Sequence, residues 1–163
     1  MRKPSKLVIF LTVFIDLVGF GIVLPLLPIY SKYLGASGFQ IGAIMAAYSA
    51  MQFIFAPGWG RLSDRIGRRP VLLMSIAGSA LSYGLFAYGS TLAGTAGLTV
   101  LIVSRVLAGI GGANISVAQA YIADITPPEK RSASMGLIGM AFGLGFIFGP
   151  AIGALALRWF GHQ

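Results

Sequence analysis

Two charged side chains lie inside otherwise apolar stretches, and they are the first residues in this sequence that could do chemistry. Asp16 lies in the apolar run 7–30, and Arg105 lies in the run 98–123. A charge at membrane depth is costly, so such residues usually face the interior of a helix bundle and serve a function. A carboxyl group in such surroundings can take up and release a proton, and we expect this of Asp16. The alternative is a neutral, hydrogen-bonded structural aspartate.

Asp16 and Arg105 are expected at similar depths. Helical geometry places Asp16 roughly 13 Å into the membrane from one face and Arg105 roughly 11 Å from the other, in a core about 30 Å thick. The two side chains could therefore pair directly or interact through water. A proton on Asp16 would weaken such a pair and make it a switch, since buried ion pairs are often retained for reasons other than stability. A static salt bridge between the two spans is the alternative.

A second constellation is the segment 60–70, which reads GRLSDRIGRRP and separates two apolar runs. Gly67 permits a tight turn, because glycine adopts backbone conformations that other residues avoid. Asp64 lies among four arginines. A signal for membrane orientation would explain the arginines, but it would not explain the embedded aspartate or the glycines.

Glycines at four-residue spacing mark a third feature. Gly145, Gly149 and Gly153 form one smooth ridge for a neighbouring helix. Pro150 removes a backbone donor within that ridge and predicts a bend. The pair Pro25 and Pro28 predicts another bend near the end of the first run.

Polar side chains in two of the apolar runs are candidates for contact with a substrate. They are Tyr48, Gln52, Asn114 and Gln119. Hydrogen bonding between helices is the alternative role for such residues.

The composition decides which class of protein must position these residues. Hydrophobic residues make up 56% of the 163, charged residues only 10%, and the net charge is +8. Such a chain can form neither a soluble surface nor a disordered segment. With no cysteine and one histidine, the sequence predicts no metal site. The basic residues are confined to short loops, which favours anionic lipid headgroups over nucleic acid as their partner.

Five runs are long and apolar enough to span a bilayer as helices. They cover residues 7–30, 39–60, 71–88, 98–123 and 133–157. The segment 126–129 fits a capping box with proline at the first helical position, before the fifth run. The fold class is therefore an all-α integral membrane protein, with the membrane bilayer as its partner.

Lys and Arg residues fall mainly on one side of this arrangement. That side holds Arg2, Lys3, Lys6, Arg61, Arg65, Arg68, Arg69, Lys130 and Arg131, and the other holds Lys32 and Arg158. The more basic side is expected to be cytoplasmic. We therefore expect a multi-pass protein of the plasma or inner membrane with its N-terminus in the cytoplasm.

These residues together resemble the major facilitator superfamily. The segment 60–70 is similar to the signature that this family carries between helices 2 and 3. Gly145, Gly149, Pro150 and Gly153 are similar to the helix-5 motif of its drug:proton antiporter branch, although Ala154 stands where that motif ends in glycine. In general form the sequence looks like a tetracycline-efflux protein.

Two further helices carry the resemblance. The helix-4 motif is matched by Arg105, Gly109, Gly111 and Gly112. The helix-1 motif is matched by Asp16, Gly19, Gly21, Pro25 and Pro28. One position departs from the pattern, because tetracycline exporters carry an aspartate in helix 3 where this chain has Ser82.

The resemblance implies a secondary transporter that exchanges protons for a small organic or drug-like solute, and not an enzyme. The proton gradient drives such exchange without a cofactor. Asp16 and Arg105 would handle the proton, and the glycine-rich fifth helix would seal two halves of the molecule. A cytoplasmic charge network would lock one conformation; its residues would be Gly60, Asp64, Arg65, Gly67, Arg68, Arg69, Asp124, Glu129 and Arg131.

The resemblance also bears on domain organisation. Members of the family have two six-helix halves and bind solute between them. Five spans would form most of the N-terminal half, so residues 1–163 are interpreted as a partial N-terminal transmembrane domain. Its expected partner is a C-terminal transporter half, without which it should not transport. The alternatives are a facilitator or symporter for sugars or metabolites, and a non-transporting membrane scaffold fragment.

Overall fold

A computed structural model describes residues 5–160 as a bundle of helices. The helices are α1 (Lys6–Tyr33), α2 (Gly38–Ile66), α3 (Arg68–Thr91), α4 (Gly94–Gly111), α5 (Ile115–Asp124) and α6 (Arg131–Phe160), with a short 3₁₀ helix at Pro128–Lys130. Five stretches of the described chain are long and apolar enough to cross a membrane, with α4 and α5 forming one of them. The five predicted spans are confirmed. Arg2 and Lys3, which were expected at the cytoplasmic side, lie outside the described residues.

The fourth span is broken, which the sequence analysis did not predict. Its α-helical ladder stops after Gly111 and resumes at Ile115. A helix end leaves carbonyl groups without partners, and a bilayer offers no water to satisfy them. Side chains of α2 and α3 supply the donors instead. Trp59 Nε1 donates to the Ile110 carbonyl at 2.6 Å, Gln52 Nε2 to that of Gly112 at 2.9 Å, and Ser75 Oγ to that of Gly111 at 2.5 Å.

The connection between the second and third spans is far shorter than expected. Residues 61–70 lie between two predicted spans, where a loop is expected, but α2 continues to Ile66 and α3 begins at Arg68. Gly67 alone separates the two helices, with a φ of +98° that L side chains rarely adopt. The tight turn predicted at Gly67 is therefore present, and most of the basic segment is helical.

One predicted helix cap is wrong, and a different one is present. No side-chain cap forms before the 3₁₀ helix that begins at Pro128, and the Thr126 hydroxyl has no hydrogen-bond partner among the described residues. A capping box instead begins α2. There the Ser37 hydroxyl accepts from Gln40 N, and Ser37 N donates to Gln40 Oε1. Ser37 and Gln40 are three residues apart, with glutamine at the third helical position, which is the same signature.

The predicted glycine ridge packs α6 closely against α1. A Cβ atom on Gly149 would lie 2.6 Å from Gly21 Cα, and one on Gly145 would lie 2.7 Å from Leu17 Cβ. A Cβ atom on Gly153 would lie 2.7 Å from the Ile22 carbonyl oxygen. The two backbones can approach this closely only because these positions lack side chains.

Prolines lie within three of the long helices without ending them. Pro25 and Pro28 are inside α1, Pro57 is inside α2 and Pro150 is inside α6. In a membrane such prolines are tolerated when neighbouring helices or local adjustments satisfy the freed carbonyl groups.

Two apolar clusters fill the interior of the bundle. The first joins α1, α3, α5 and α6 and includes Val13, Leu72 and Ile122. The second cluster joins α1, α2, α3 and α4 and includes Leu27 and Leu101. Asp16 and Arg105 lie on α1 and α4, two of the helices that these clusters join.

Replacing Gly149 by alanine should loosen the contact between α1 and α6. The added methyl group would meet the Gly21 backbone at 2.6 Å, and such overpacking typically costs about 1–3 kcal/mol. Gly139→Ala is the matched control in the same helix, because a Cβ atom there meets nothing within 4 Å. Thermal unfolding in detergent micelles should show a lower midpoint for Gly149→Ala and an unchanged or slightly higher one for Gly139→Ala. Equal midpoints would contradict the close packing.

Candidate functional site

Asp16 lies on α1 with only one weak side-chain donor. Asn114 Nδ2 approaches its Oδ2 atom at 3.4 Å, whereas Oδ1 is buried and has no hydrogen-bond partner among the described residues. The buried hydroxyl of Ser79, on α3, faces the same carboxyl group. Because the carboxyl group is so weakly held, it can gain or lose a proton without breaking an ion pair.

Asn114 links Asp16 to the break in the fourth span. Its Nδ2 atom also donates to Ser75 Oγ at 2.6 Å, and Ser75 Oγ in turn donates to the Gly111 carbonyl at 2.5 Å. Asn114 is completely buried, and its Oδ1 atom has no partner among the described residues. A change at the carboxyl group can therefore reach the Gly111 carbonyl, at the α4–α5 junction, through three hydrogen bonds.

Arg105 lies on α4 and is 2% exposed. Its guanidinium carbon lies 5.1 Å from the centre of the Phe86 ring and 5.8 Å from that of Tyr83. The Nε and Nη2 atoms are buried without a hydrogen-bond partner in the described part of the chain. Favourable contact with the ring faces offsets part of the cost of burying this cation.

Direct pairing of Asp16 with Arg105, one of the two arrangements considered from the sequence, is absent within residues 5–160. Within residues 5–160, both salt bridges belong to Arg68, and neither Asp16 nor Arg105 takes part in one. Similar depth alone does not bring two side chains together, because each side chain must also point towards the other. Tyr83 lies between them: its hydroxyl donates to the Asp16 backbone carbonyl at 3.1 Å, and its ring faces the Arg105 guanidinium.

Small residues allow this contact. A Cβ atom on Gly19 would lie 2.5 Å from the Tyr83 ring, so only glycine leaves room for the ring against α1. On α4, a Cβ atom on Gly112 would lie 2.8 Å from the Tyr48 hydroxyl, and one on Gly111 would lie 3.1 Å from Ser79 N. The glycines that follow Arg105 thus bring α2 and α3 against α4 beside the two charged residues.

A cavity of about 200 Å³ opens beside Arg105, between α1, α2 and α4. Its lining is mainly apolar, with three polar side chains. The lining residues are Phe20, Val23, Leu24, Leu27, Met45, Tyr48, Ser49 and Arg105. The Phe20 and Tyr48 rings stack with centroids 4.6 Å apart and form part of one wall.

The four candidate substrate residues have different surroundings. Tyr48 lines the cavity. Gln52 binds the Gly112 carbonyl and Asn114 binds Ser75, so both take part in hydrogen bonds between helices. Gln119 is exposed on α5 and is not among the residues that line this cavity.

Arg68 organises the charges at the end of the bundle where α2 meets α3. It forms salt bridges with Asp64 at 2.6 Å and with Asp124, at the end of α5, at 3.0 Å. Arg68 Nη1 also donates to Ser63 Oγ, which donates in turn to the Gly60 carbonyl. One arginine thus ties together the ends of α2, α3 and α5.

The other expected members of this network lie around Arg68 without an ion pair in the described chain. Arg65, Arg69 and Glu129 are exposed. Arg131 donates through Nε to the Thr126 carbonyl at 3.2 Å and so holds the connection before α6.

Sequence reasoning missed Tyr83, Ser75 and Ser79. A signal for the serines was present, because Ser75, Ser79 and Ser82 follow one face of a helix at intervals of four and three residues, and all three are buried. Ser82, the position that departs from the tetracycline-exporter pattern, donates to the Gly78 carbonyl within its own helix. No group of acidic, histidine or cysteine side chains within residues 5–160 could hold a metal ion.

Comparison with known proteins gives a consistent result. The family model described as Major Facilitator Superfamily matches residues 9–163. The class E tetracycline resistance protein of Escherichia coli is 45% identical over 147 residues, which cover 88% of this chain and 35% of that protein. The class D protein of Salmonella ordonez is 42% identical over 159 residues, covering 96% of this chain and 39% of its own length. The chain therefore spans little more than a third of the length of these relatives.

Arg68→Gln should loosen the end of the bundle, because it removes both salt bridges. Each such pair contributes about 0.2–1 kcal/mol. With both pairs lost, a cysteine placed at buried Thr126 should react with a maleimide about twofold to thirtyfold faster. The chain has no cysteine of its own, which makes the labelling specific. Arg69→Gln is the control, since exposed Arg69 forms no salt bridge with another described residue. Equal labelling rates in the two variants would contradict a special role for Arg68.

Proposed function

The chain belongs to the major facilitator superfamily, and from that premise we propose that it acts in a secondary transporter that exchanges protons for a small organic solute. Five of its stretches are apolar and long enough to cross a membrane. The proposed driving force is the proton gradient, with no cofactor and no enzymatic reaction. The proposed location is the plasma or inner membrane, with the N-terminus in the cytoplasm.

The state of Asp16 is the observation that carries the proposal. A carboxyl group in the middle of a membrane span has one oxygen without a partner in the described chain and one long contact to Asn114. Ionisable residues within spans are rare and typically mark proton or substrate pathways. Asp16 is therefore proposed as the group that carries the proton.

The hydrogen bonds of Asn114 supply a route from the proton to movement. An ionised Asp16 accepts a hydrogen bond from Asn114, whereas a protonated one can also donate to it. The resulting shift would act on Ser75 and on the Gly111 carbonyl, where the fourth span is already broken. Protonation is thus proposed to change the angle between α4 and α5.

Two further contacts are proposed to take part in the alternation of conformations. The glycine contact between α1 and α6 leaves no interlocking side chains at Gly21 and Gly149, so the two helices can slide. The salt bridges of Arg68 are proposed to hold one conformation closed at the cytoplasmic end.

The proposed orientation rests on where the basic residues fall. Lys6, Arg61, Arg65 and Lys130 lie at the same end of the bundle as Arg68, while Lys32 lies at the end of α1 and Arg158 near the end of α6, on the other side. Excess Lys and Arg mark the cytoplasmic side of a membrane protein. Lys6 also donates to Ser134 on α6 at 2.8 Å, which holds the first turn of α1 to that side.

The proposed solute is a small, drug-like organic molecule. The relatives named as tetracycline resistance proteins support an exported compound of this kind. Additional helices are proposed to complete the binding site, because α2 carries only two buried residues along its 29 positions. Its exposed Phe53, at 83%, and Ile54, at 59%, suit contact with lipid or with such helices.

Asp16→Asn should abolish solute transport against a gradient while sparing exchange down a gradient. The asparagine keeps the shape but carries no titratable proton. The rate of transport against the gradient should fall by at least about a hundredfold, since a positioned proton-transfer group contributes on that scale. Uptake of radiolabelled solute by proteoliposomes that contain the native full-length polypeptide, with and without an imposed pH gradient, provides the measurement.

Asp16→Glu is the matched control, because it retains a carboxyl group near the same place and should retain part of the proton-driven transport. Uphill transport by Asp16→Asn at the wild-type rate would contradict proton coupling through this residue. Loss of downhill exchange as well would contradict a role confined to the proton.

A further inference from the structure

The guanidinium group of Arg105 is a buried cation that lacks an anion. It is 2% exposed, and its Nε and Nη2 atoms have no hydrogen-bond partner in the described chain. Buried charges in proteins are normally paired, because removal from water is otherwise costly. The unused donors of Arg105 therefore indicate a partner that arrives from elsewhere.

The chain itself offers no acidic group in the right place. It has four acidic residues, and three of them, Asp64, Asp124 and Glu129, lie at the ends of helices away from the second apolar cluster. The fourth, Asp16, contacts Asn114 and is separated from Arg105 by Tyr83. Within residues 5–160, no acidic side chain forms a salt bridge with Arg105.

The position of the guanidinium group is set by its surroundings. It lies 5.1 Å from the Phe86 ring centre and 5.8 Å from that of Tyr83, and the Tyr83 hydroxyl is tied to the backbone of α1. Contacts with ring faces stabilise the cation without using its N–H groups. The Nε and Nη2 donors thus have no hydrogen bond within the described chain, and Arg105 lines the cavity. A small shift of the guanidinium group towards the cavity would present the donor fork that matches a carboxylate.

The cavity beside Arg105 has the character of an amphipathic site. Arg105, Tyr48 and Ser49 provide its polar groups, and the rest of the lining is apolar, as at Leu24 and Met45. Its volume of about 200 Å³ is below the roughly 300–1,000 Å³ of pockets that enclose a whole drug-sized ligand. It suits the acidic end of a solute together with one ring system.

We propose that Arg105 binds the acidic group of an amphipathic organic anion whose apolar part occupies the cavity between α1, α2 and α4. This inference rests on the transporter function proposed above and names the class of its solute. Arg105 contacts the anion directly, whereas Asp16 carries the proton on the other side of Tyr83. The two charged residues therefore have separate tasks.

Equilibrium binding without a pH gradient tests this inference. The native full-length polypeptide is placed in nanodiscs of phosphatidylcholine, which has no net charge and so does not compete for the cation. The probes are 1-naphthoate and its neutral analogue 1-naphthamide, which share one ring system. Naphthoate should bind at least about tenfold more tightly, because hydrogen bonds to charged groups are stronger than those to neutral groups.

Arg105→Gln should remove the advantage of naphthoate over naphthamide, and Arg105→Lys should restore only part of it. Exposed Arg61 offers a control, since Arg61→Gln changes the net charge equally and should leave the advantage intact. Equal affinity of the wild type for both probes would overturn the proposal, as would an advantage that survives in Arg105→Gln. If an acidic side chain from a helix outside the described chain paired with Arg105, naphthoate would not bind. That result would also overturn the proposal.

A second variant covers the case in which Arg105→Gln does not fold. Met45→Trp fills the cavity and leaves Arg105 in place, and Met45 is already 37% exposed. It should weaken both probes, and unchanged naphthoate binding would overturn the assignment of the cavity. These binding measurements use no pH gradient, so they test Arg105 separately from Asp16. Naphthoate binding can be absent while Asp16-dependent transport is present, and binding can be present while that transport is absent.

Discussion

The cost of placing polar groups where there is no water shapes this bundle. A membrane core leaves every unpaired donor or acceptor without compensation, yet this chain places a carboxyl group, a guanidinium group and a broken helix in its spans. The helix break is compensated by Trp59, Gln52 and Ser75, which donate to the freed carbonyl groups. The two charged groups are compensated much less, with unpaired atoms on both Asp16 and Arg105. The backbone carbonyl groups at the helix break thus have hydrogen-bond partners, whereas atoms of both Asp16 and Arg105 have none in the described chain.

Glycine makes this arrangement possible. Gly19 gives the Tyr83 ring its place between the two charges, and Gly111 brings α3 against α4. On the opposite side of α1, the contact of Gly21 with Gly149 joins α6 without interlocking side chains. Close backbone contact replaces a hydrophobic driving force that lipid does not provide. The close approach of α1 and α6 and the absence of interlocking side chains between them therefore depend on the same glycines.

Much of the fold could be predicted from the sequence because its signals are local. Runs of apolar residues revealed the five spans, and the spacing of Gly145, Gly149 and Gly153 revealed a packing ridge. The turn at Gly67 could be predicted because glycine at a single position adopts backbone conformations that other residues avoid. Rotation of helices about their axes is not a local property, so the sequence could not decide whether Asp16 and Arg105 pair directly. The break before Ile115 could not be predicted either, because its compensating donors come from two other helices.

Infrared difference spectroscopy directly tests whether Asp16 changes its protonation in the proposed transport cycle. The C=O stretch of a protonated aspartic acid is distinct from that of an aspartate, and Asp16→Asn removes the contribution of this residue. The account predicts a band that is absent from the variant and that changes in intensity when solute is added at constant pH. A band that ignores solute, or a difference spectrum identical in wild type and variant, would contradict it.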